Sequence, residues 1–148
     1  MNAGSRDFDS ALSAVMGDLA REVDALHACL IDERMALDQA NSDALQTITR
    51  SKGSLLDRID RLDSERRQLG AAGNIDSAND PRWAPTFSRI GECRQINETN
   101  GRIVSQRIGH VRQALALISG DSTGGAAATY GPRGSTQVRL RSGILAQV

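Results

Sequence analysis

The sequence predicts an all-α protein: an elongated antiparallel three-helix bundle, a coiled-coil-like hairpin plus a third helix, followed by a flexible C-terminal tail. Three observations predict it. Apolar residues recur every three or four positions in three separate stretches, the period of one helix face. Segments rich in Gly, Pro, Asn and Asp divide those stretches. Aromatics are scarce, with one Trp, one Tyr and two Phe, whereas sheets draw on aromatic and β-branched residues.

The first stretch runs Phe8, Leu12, Val15, Leu19, Val23, Leu26 and Leu30. Asp7 or Asp9 is placed to cap its start. The stripe falters at Arg34, Leu37 and Asn41, so a turn is expected over 35–43, with Asn41 or Ser42 as a new N-cap. The second stretch runs Leu45, Ile48, Lys52, Leu55, Ile59, Leu62, Arg66 and Leu69. Its charged run, Asp57 to Arg67, reads as a solvated face with i,i+3 and i,i+4 pairs or, alternatively, as a partner surface. Gly70, Gly73, Asn74, Asn79, Asp80, Pro81 and Pro85 then end the helix.

The third stretch starts at Phe87 and runs Ile90, Arg94, Asn97, Gly101, Val104, Ile108, Val111, Leu115 and Ile118, with Cys93, Ile96 and Ile103 flanking it. Gly120 is the expected C-cap. From Asp121 the chain turns Gly-, Ala- and Ser-rich and has little to bury. The division is therefore a three-helix domain, 1–120, and a flexible tail, 121–148, which ends in a short apolar and basic segment. Helices of roughly 27 to 35 residues give a body ~40–50 Å long. Short connections make neighbouring helices antiparallel.

The chain has 148 residues, enough for one domain with a real core. It carries 18 basic and 18 acidic residues. That balance argues against a general nucleic-acid binder. No apolar run reaches the ~18–20 residues of a membrane span. The opening MNAGSRDFDS lacks the basic-then-apolar pattern of a secretory signal. A cytoplasmic location is expected, and there Cys29 and Cys93 remain thiols. The sequon Asn97-Glu98-Thr99 has no meaning without secretion.

The catalytic inventory is thin. His27 and Cys29 fall on different faces of one helix. Cys93 and His110 stand more than four turns apart on another. No nucleophile-base pair, metal-ligand cluster or phosphate-cradling loop emerges, so neither an enzyme nor a cofactor is expected. The polar interruption at Asn97, Asn100 and Gly101 is more informative. Asn on a core face fixes register at a cost in stability. Gly inside a helix costs roughly 1 kcal/mol against Ala and points to close approach of another backbone. That backbone belongs either to a tight crossing within the bundle or to a partner helix.

Cys93-Arg94-Gln95-Ile96-Asn97-Glu98-Thr99-Asn100-Gly101 resembles the C-x-x-x-N-x-x-N-G signature of FlgN-type flagellar chaperones. Arg107, Ala114-Leu115, Tyr130-Gly131 and Gly134 are similar to the rest of that family's C-terminal pattern. Leu30, Glu33, Ala36-Leu37, Ala44-Leu45 and Lys52 are similar to its first hairpin, and Trp83 to a tryptophan before its third helix. The resemblance spans about residues 12 to 134, and the segment after Gly134 is longer and more basic than the family pattern.

The resemblance implies a helical cytoplasmic chaperone of the flagellar type III export system. Such chaperones bind the C-terminal regions of the hook-filament junction proteins FlgK and FlgL and prevent their premature assembly or degradation. They deliver them to the export gate, including the cytoplasmic domain of FlhA. The residues assigned to partner packing are Ile96, Asn97, Asn100, Gly101, Ile103, Val104, Ile108, Val111, Leu115 and Ile118. The family's tail tyrosine is linked to the gate, which assigns Tyr130, with Gly131 and Pro132, to gate binding. Two alternatives stand beside this reading: a filament-cap chaperone of the FliT type, and a self-associating structural coiled coil. A coiled-coil rod should not carry Gly101, Pro81 or a Gly-rich tail.

Overall fold

A computed structural model describes residues 3–119. Three long helices account for nearly all of it: α1 (Ala3–Asp38), α2 (Ser42–Gly73) and α3 (Ala84–Ile118). No strand occurs among the described residues. The all-α bundle expected from the stripes is present. The course is up, down and up, so α3 runs parallel to α1 and antiparallel to α2. α1 is the shared element: both other helices pack on it, while α2 and α3 do not approach each other closely along their backbones.

The hairpin closes where the first stripe falters. Ala40 adopts a left-handed conformation, with φ of 52°. The Asn41 N–H then reaches the Ala36 carbonyl, and the Ala40 N–H reaches Leu37, a Schellman closure. Asn41 at once caps α2, its side chain accepting from the Ala44 N–H at 3.0 Å. The end of α2 repeats the device with Asn74 in the left-handed region, φ 51°. Gly70 is required there: a Cβ on it would lie 2.6 Å from Ser77 Oγ.

Several boundaries differ from the sequence reading. α1 begins at Ala3, so Asp7 and Asp9 lie within the helix and cap nothing. Asp9 instead accepts from Arg82 at 2.8 Å, tying the start of α1 to the entry of α3. α2 continues through Gly70 to Gly73. Pro85 starts α3 rather than ending its predecessor, because a first-turn proline forgoes no helical hydrogen bond. The helix follows a 3-10 turn, Pro81–Trp83, capped by Asp80. The proposed C-cap Gly120 and the tail, 121–148, lie outside the described residues.

The core consists of Leu12, Met16, Leu19, Val23, Leu26 and Leu30 from α1, Leu55, Leu56 and Ile59 from α2, and Trp83, Ile90 and Cys93. Phe8, the first member of the α1 stripe, is exposed. The charged run Asp57 to Arg67 is not wholly a solvated face. Asp63 and Arg66 are buried. Asp63 accepts from both Arg66 and Arg67. Arg66 also donates to the Ser77 carbonyl at 2.8 Å and lies 4.8 Å from the Trp83 ring centroid. Their pairing binds the α2–α3 connection to the foot of the bundle. A buried carboxylate and guanidinium persist only when each is fully partnered.

Candidate functional site

Register fixes the site. The Cys93 thiol meets the Val23 carbonyl and the Asn100 amide meets the Leu30 carbonyl, both pairs offset by 70 positions. At that offset the end of α1, Asp38, stands level with Ile108. About ten residues of α3, or ~15 Å, therefore project past the hairpin.

The core face of α3 continues along this projection. Ile90, Cys93 and Asn100 are buried. At the same helical spacing follow Val104, Ile108, Val111, Leu115 and Ile118. Their exposure climbs through 40%, 43%, 58%, 59% and 83%. The stripe thus emerges from the bundle with nothing in the described residues to cover its upper end. Leu117 is also exposed.

Below it, a polar junction joins all three helices. Lys52 of α2 donates to Glu33 of α1 at 3.1 Å and to Asn97 of α3 at 2.7 Å. Asn100 donates to the Leu30 carbonyl at 2.9 Å and to Glu33 at 2.8 Å. Lys52 and Glu33 are each largely buried, and no buried side-chain polar atom in the described residues lacks a partner. Such a network specifies one alignment, because in any other Lys52 and Glu33 lose hydrogen-bond partners on α3.

Beside the junction, Ile31 and Arg34 of α1 and Gln95, Ile96, Thr99 and Asn100 of α3 line an open groove of about 270 Å³. Ile31 and Met35 are exposed apolar residues on α1. They sit off its main stripe, four residues apart, a spacing that was present in the sequence but eclipsed by the stronger core pattern.

The residues assigned to partner packing therefore divide. Val104, Ile108, Val111, Leu115 and Ile118 are exposed; Ile96, Asn97 and Ile103 are half-buried; Asn100 is buried and bonded within the bundle. Gly101 faces outward, and a Cβ on it would meet nothing within 4 Å. No tight crossing within the bundle explains this glycine, which overturns that part of the sequence reading. Tyr130, Gly131 and Pro132 lie outside the described residues.

The thiols carry no nucleophilic arrangement. Burial pushes Cys93 up to about 11, and burial followed by the Glu33 charge raises Cys29. Both therefore stay protonated at neutral pH. His27 lies 3.4 Å from Glu92 at the surface. No cluster of three or more His, Cys, Asp or Glu suited to a metal occurs among the described residues. No described helix is long and apolar enough to cross a membrane. At the foot, hydrogen bonds from the Arg82 guanidinium hold the Asp80 carboxyl below its usual range, and Asn79 does the same for Asp76.

Comparison with known proteins places these features in context. The FlgN protein family matches residues 9–137. The flagella synthesis protein FlgN of Escherichia coli K12 is 29% identical over 133 residues, 89% of each chain. Its counterpart in Salmonella typhimurium LT2 is 30% identical over 135 residues, again 89% of each. A Salmonella typhi protein of the same name gives the same figures. No solved structure gives a significant match.

Proposed function

The chain belongs to the FlgN family, and from that premise we propose that it is a non-enzymatic cytoplasmic chaperone of flagellar type III export. It holds the C-terminal helices of the hook-filament junction proteins FlgK and FlgL against premature assembly or degradation and delivers them to the export gate. The observation that carries this reading is the uncovered apolar face of α3, from Val104 to Ile118. An amphipathic helix laid on it would bury what the bundle leaves in water. The half-buried Ile96 and Ile103 extend the same contact toward the α1–α3 groove, beside Asn97, Asn100 and Gly101. The outward-facing Gly101 leaves room for a partner backbone.

The division into a chaperone domain, 1–120, and a tail, 121–148, belongs to the same proposal. The tail carries Tyr130, Gly131 and Pro132 as the contact with the cytoplasmic domain of FlhA. A chaperone for the filament cap, of the FliT type, is the competing assignment.

Co-purification with the C-terminal ~50 residues of FlgK and FlgL, followed by calorimetry, tests the reading: a 1:1 complex with a negative heat-capacity change is expected. The Val111→Asp chain should keep its helicity and lose both partners. A folded wild-type chain that binds neither would overturn the assignment in favour of the cap protein or self-association. Tyr130→Ala should leave fold and substrate binding intact and weaken binding to the FlhA domain; equal gate affinity would remove Tyr130 from the contact.

A further inference from the structure

The inference rests on the docking reading above and names the chemistry of the helix that docks. The carboxylates of α3 stop at Glu98, which pairs with Arg94 at 3.4 Å. From Gly101 to Ile118 the helix carries Arg102, Arg107 and Arg112 and no Asp or Glu. None of these three arginines pairs with a carboxylate among the described residues. Lower in the bundle the arginines that bridge helices are matched: Arg58 meets Glu22, Arg82 meets Asp9 and Arg89 meets Asp24.

Two of the unmatched arginines edge the apolar stripe. Arg107 stands one turn from both Val104 and Val111, and Arg112 one turn from both Ile108 and Leu115. They lie on opposite sides of the stripe. The uncovered surface is therefore apolar along its middle and cationic along both margins.

We propose that this surface selects amphipathic helices whose apolar stripe is flanked by Asp or Glu, with Arg107 and Arg112 as the selecting residues. Each guanidinium presents a fork that matches a carboxylate. A helix flanked by lysines meets like charge at both margins and is rejected. The same charge disfavours two other occupants. A second copy of the 101–118 segment would bring three more arginines and no carboxylate to the contact. The chain's own 121–148 segment offers Arg133, Arg139 and Arg141 against one acidic side chain, Asp121.

Two synthetic helical peptides with one leucine stripe, flanked by glutamates in one and lysines in the other, decide the matter with the full chain by fluorescence anisotropy. At ~0.01 M salt the glutamate peptide should bind roughly ten-fold tighter, and the gap should close near ~1 M salt as screening takes over. The double substitution Arg107→Glu with Arg112→Glu should reverse the order. Arg107→Gln with Arg112→Gln should abolish the preference, both with unchanged circular dichroism. Equal affinity for the two peptides, still lost in Val111→Asp, would overturn the charge selection and leave the docking surface standing. If neither peptide binds, whether or not vesicles containing phosphatidylglycerol do, both the selection and the docking surface fail. A dimer of the chain that Val111→Asp dissociates would likewise give the surface to a second copy and overturn the selection.

Discussion

The lower part of α3, from Thr86 to Asn100, and the upper part, from Val104 to Ile118, share one helical face and meet opposite environments. Below, Thr86, Ile90, Cys93 and Asn100 are buried, and Cys93 and Asn100 bond to carbonyls of α1. Above, residues at the same spacing are more apolar on average and yet exposed. The difference lies in the neighbour. α1 ends at Asp38, level with Ile108, and beyond that point α3 continues without it. Periodicity marks a face; the length of the adjoining element decides whether that face becomes core or surface.

Substitutions on either side of this divide sharpen it. Leu19→Ala empties a fully buried site opposite the lower part and should cost about 3 kcal/mol in urea unfolding. A cost under ~1 kcal/mol would mean that the lower core is loosely packed. At the divide itself, Asn100→Ala withdraws a donor from Glu33 and from the Leu30 carbonyl. A loss of about 1–2 kcal/mol is expected by the same measurement. No change would show that the junction adds nothing to stability.

Just beyond, Gly101→Ala adds a methyl to open space in a helix and should stabilise by up to about 1 kcal/mol. Destabilisation of similar size would restore a close backbone neighbour within the bundle. Farthest out, Leu115→Ala should change stability by less than ~0.5 kcal/mol while weakening partner binding. A loss near ~2 kcal/mol would mean that Leu115 is covered in the free chain, and the divide would have to move.

The three stripes were legible because aliphatic residues at helical spacing, leucines above all in the first two, leave a pattern no turn interrupts. The hairpin was legible from Asn41, whose capping chemistry is local. The buried pair Asp63 and Arg66 was hidden because charge alternation looks the same whether it faces water or the Trp83 ring. Its burial depends on Ser77 coming back against α2 beside Gly70, a tertiary event. The glycine at 101 misled for the converse reason: a missing side chain signals close approach only where something approaches. The apolar members of the candidate surface were readable as a stripe, from Val104 to Ile118, but not as exposed. That required knowing that α1 stops ten or so residues short. Ile31 and Met35 went unnoticed because they share a helix with a stronger stripe.

The junction of Glu33, Lys52, Asn97 and Asn100 also acts as a depth stop. If α3 slid by one turn, ~5.4 Å, Val104 would take the place of Asn100 against Leu30 and Glu33. Lys52 and Glu33 would then each lose a partner on α3. A hydrophobic seam alone tolerates such a slip, since leucine replaces leucine at the next turn. The polar stop does not, and so it holds the reach of the protruding arm to one value.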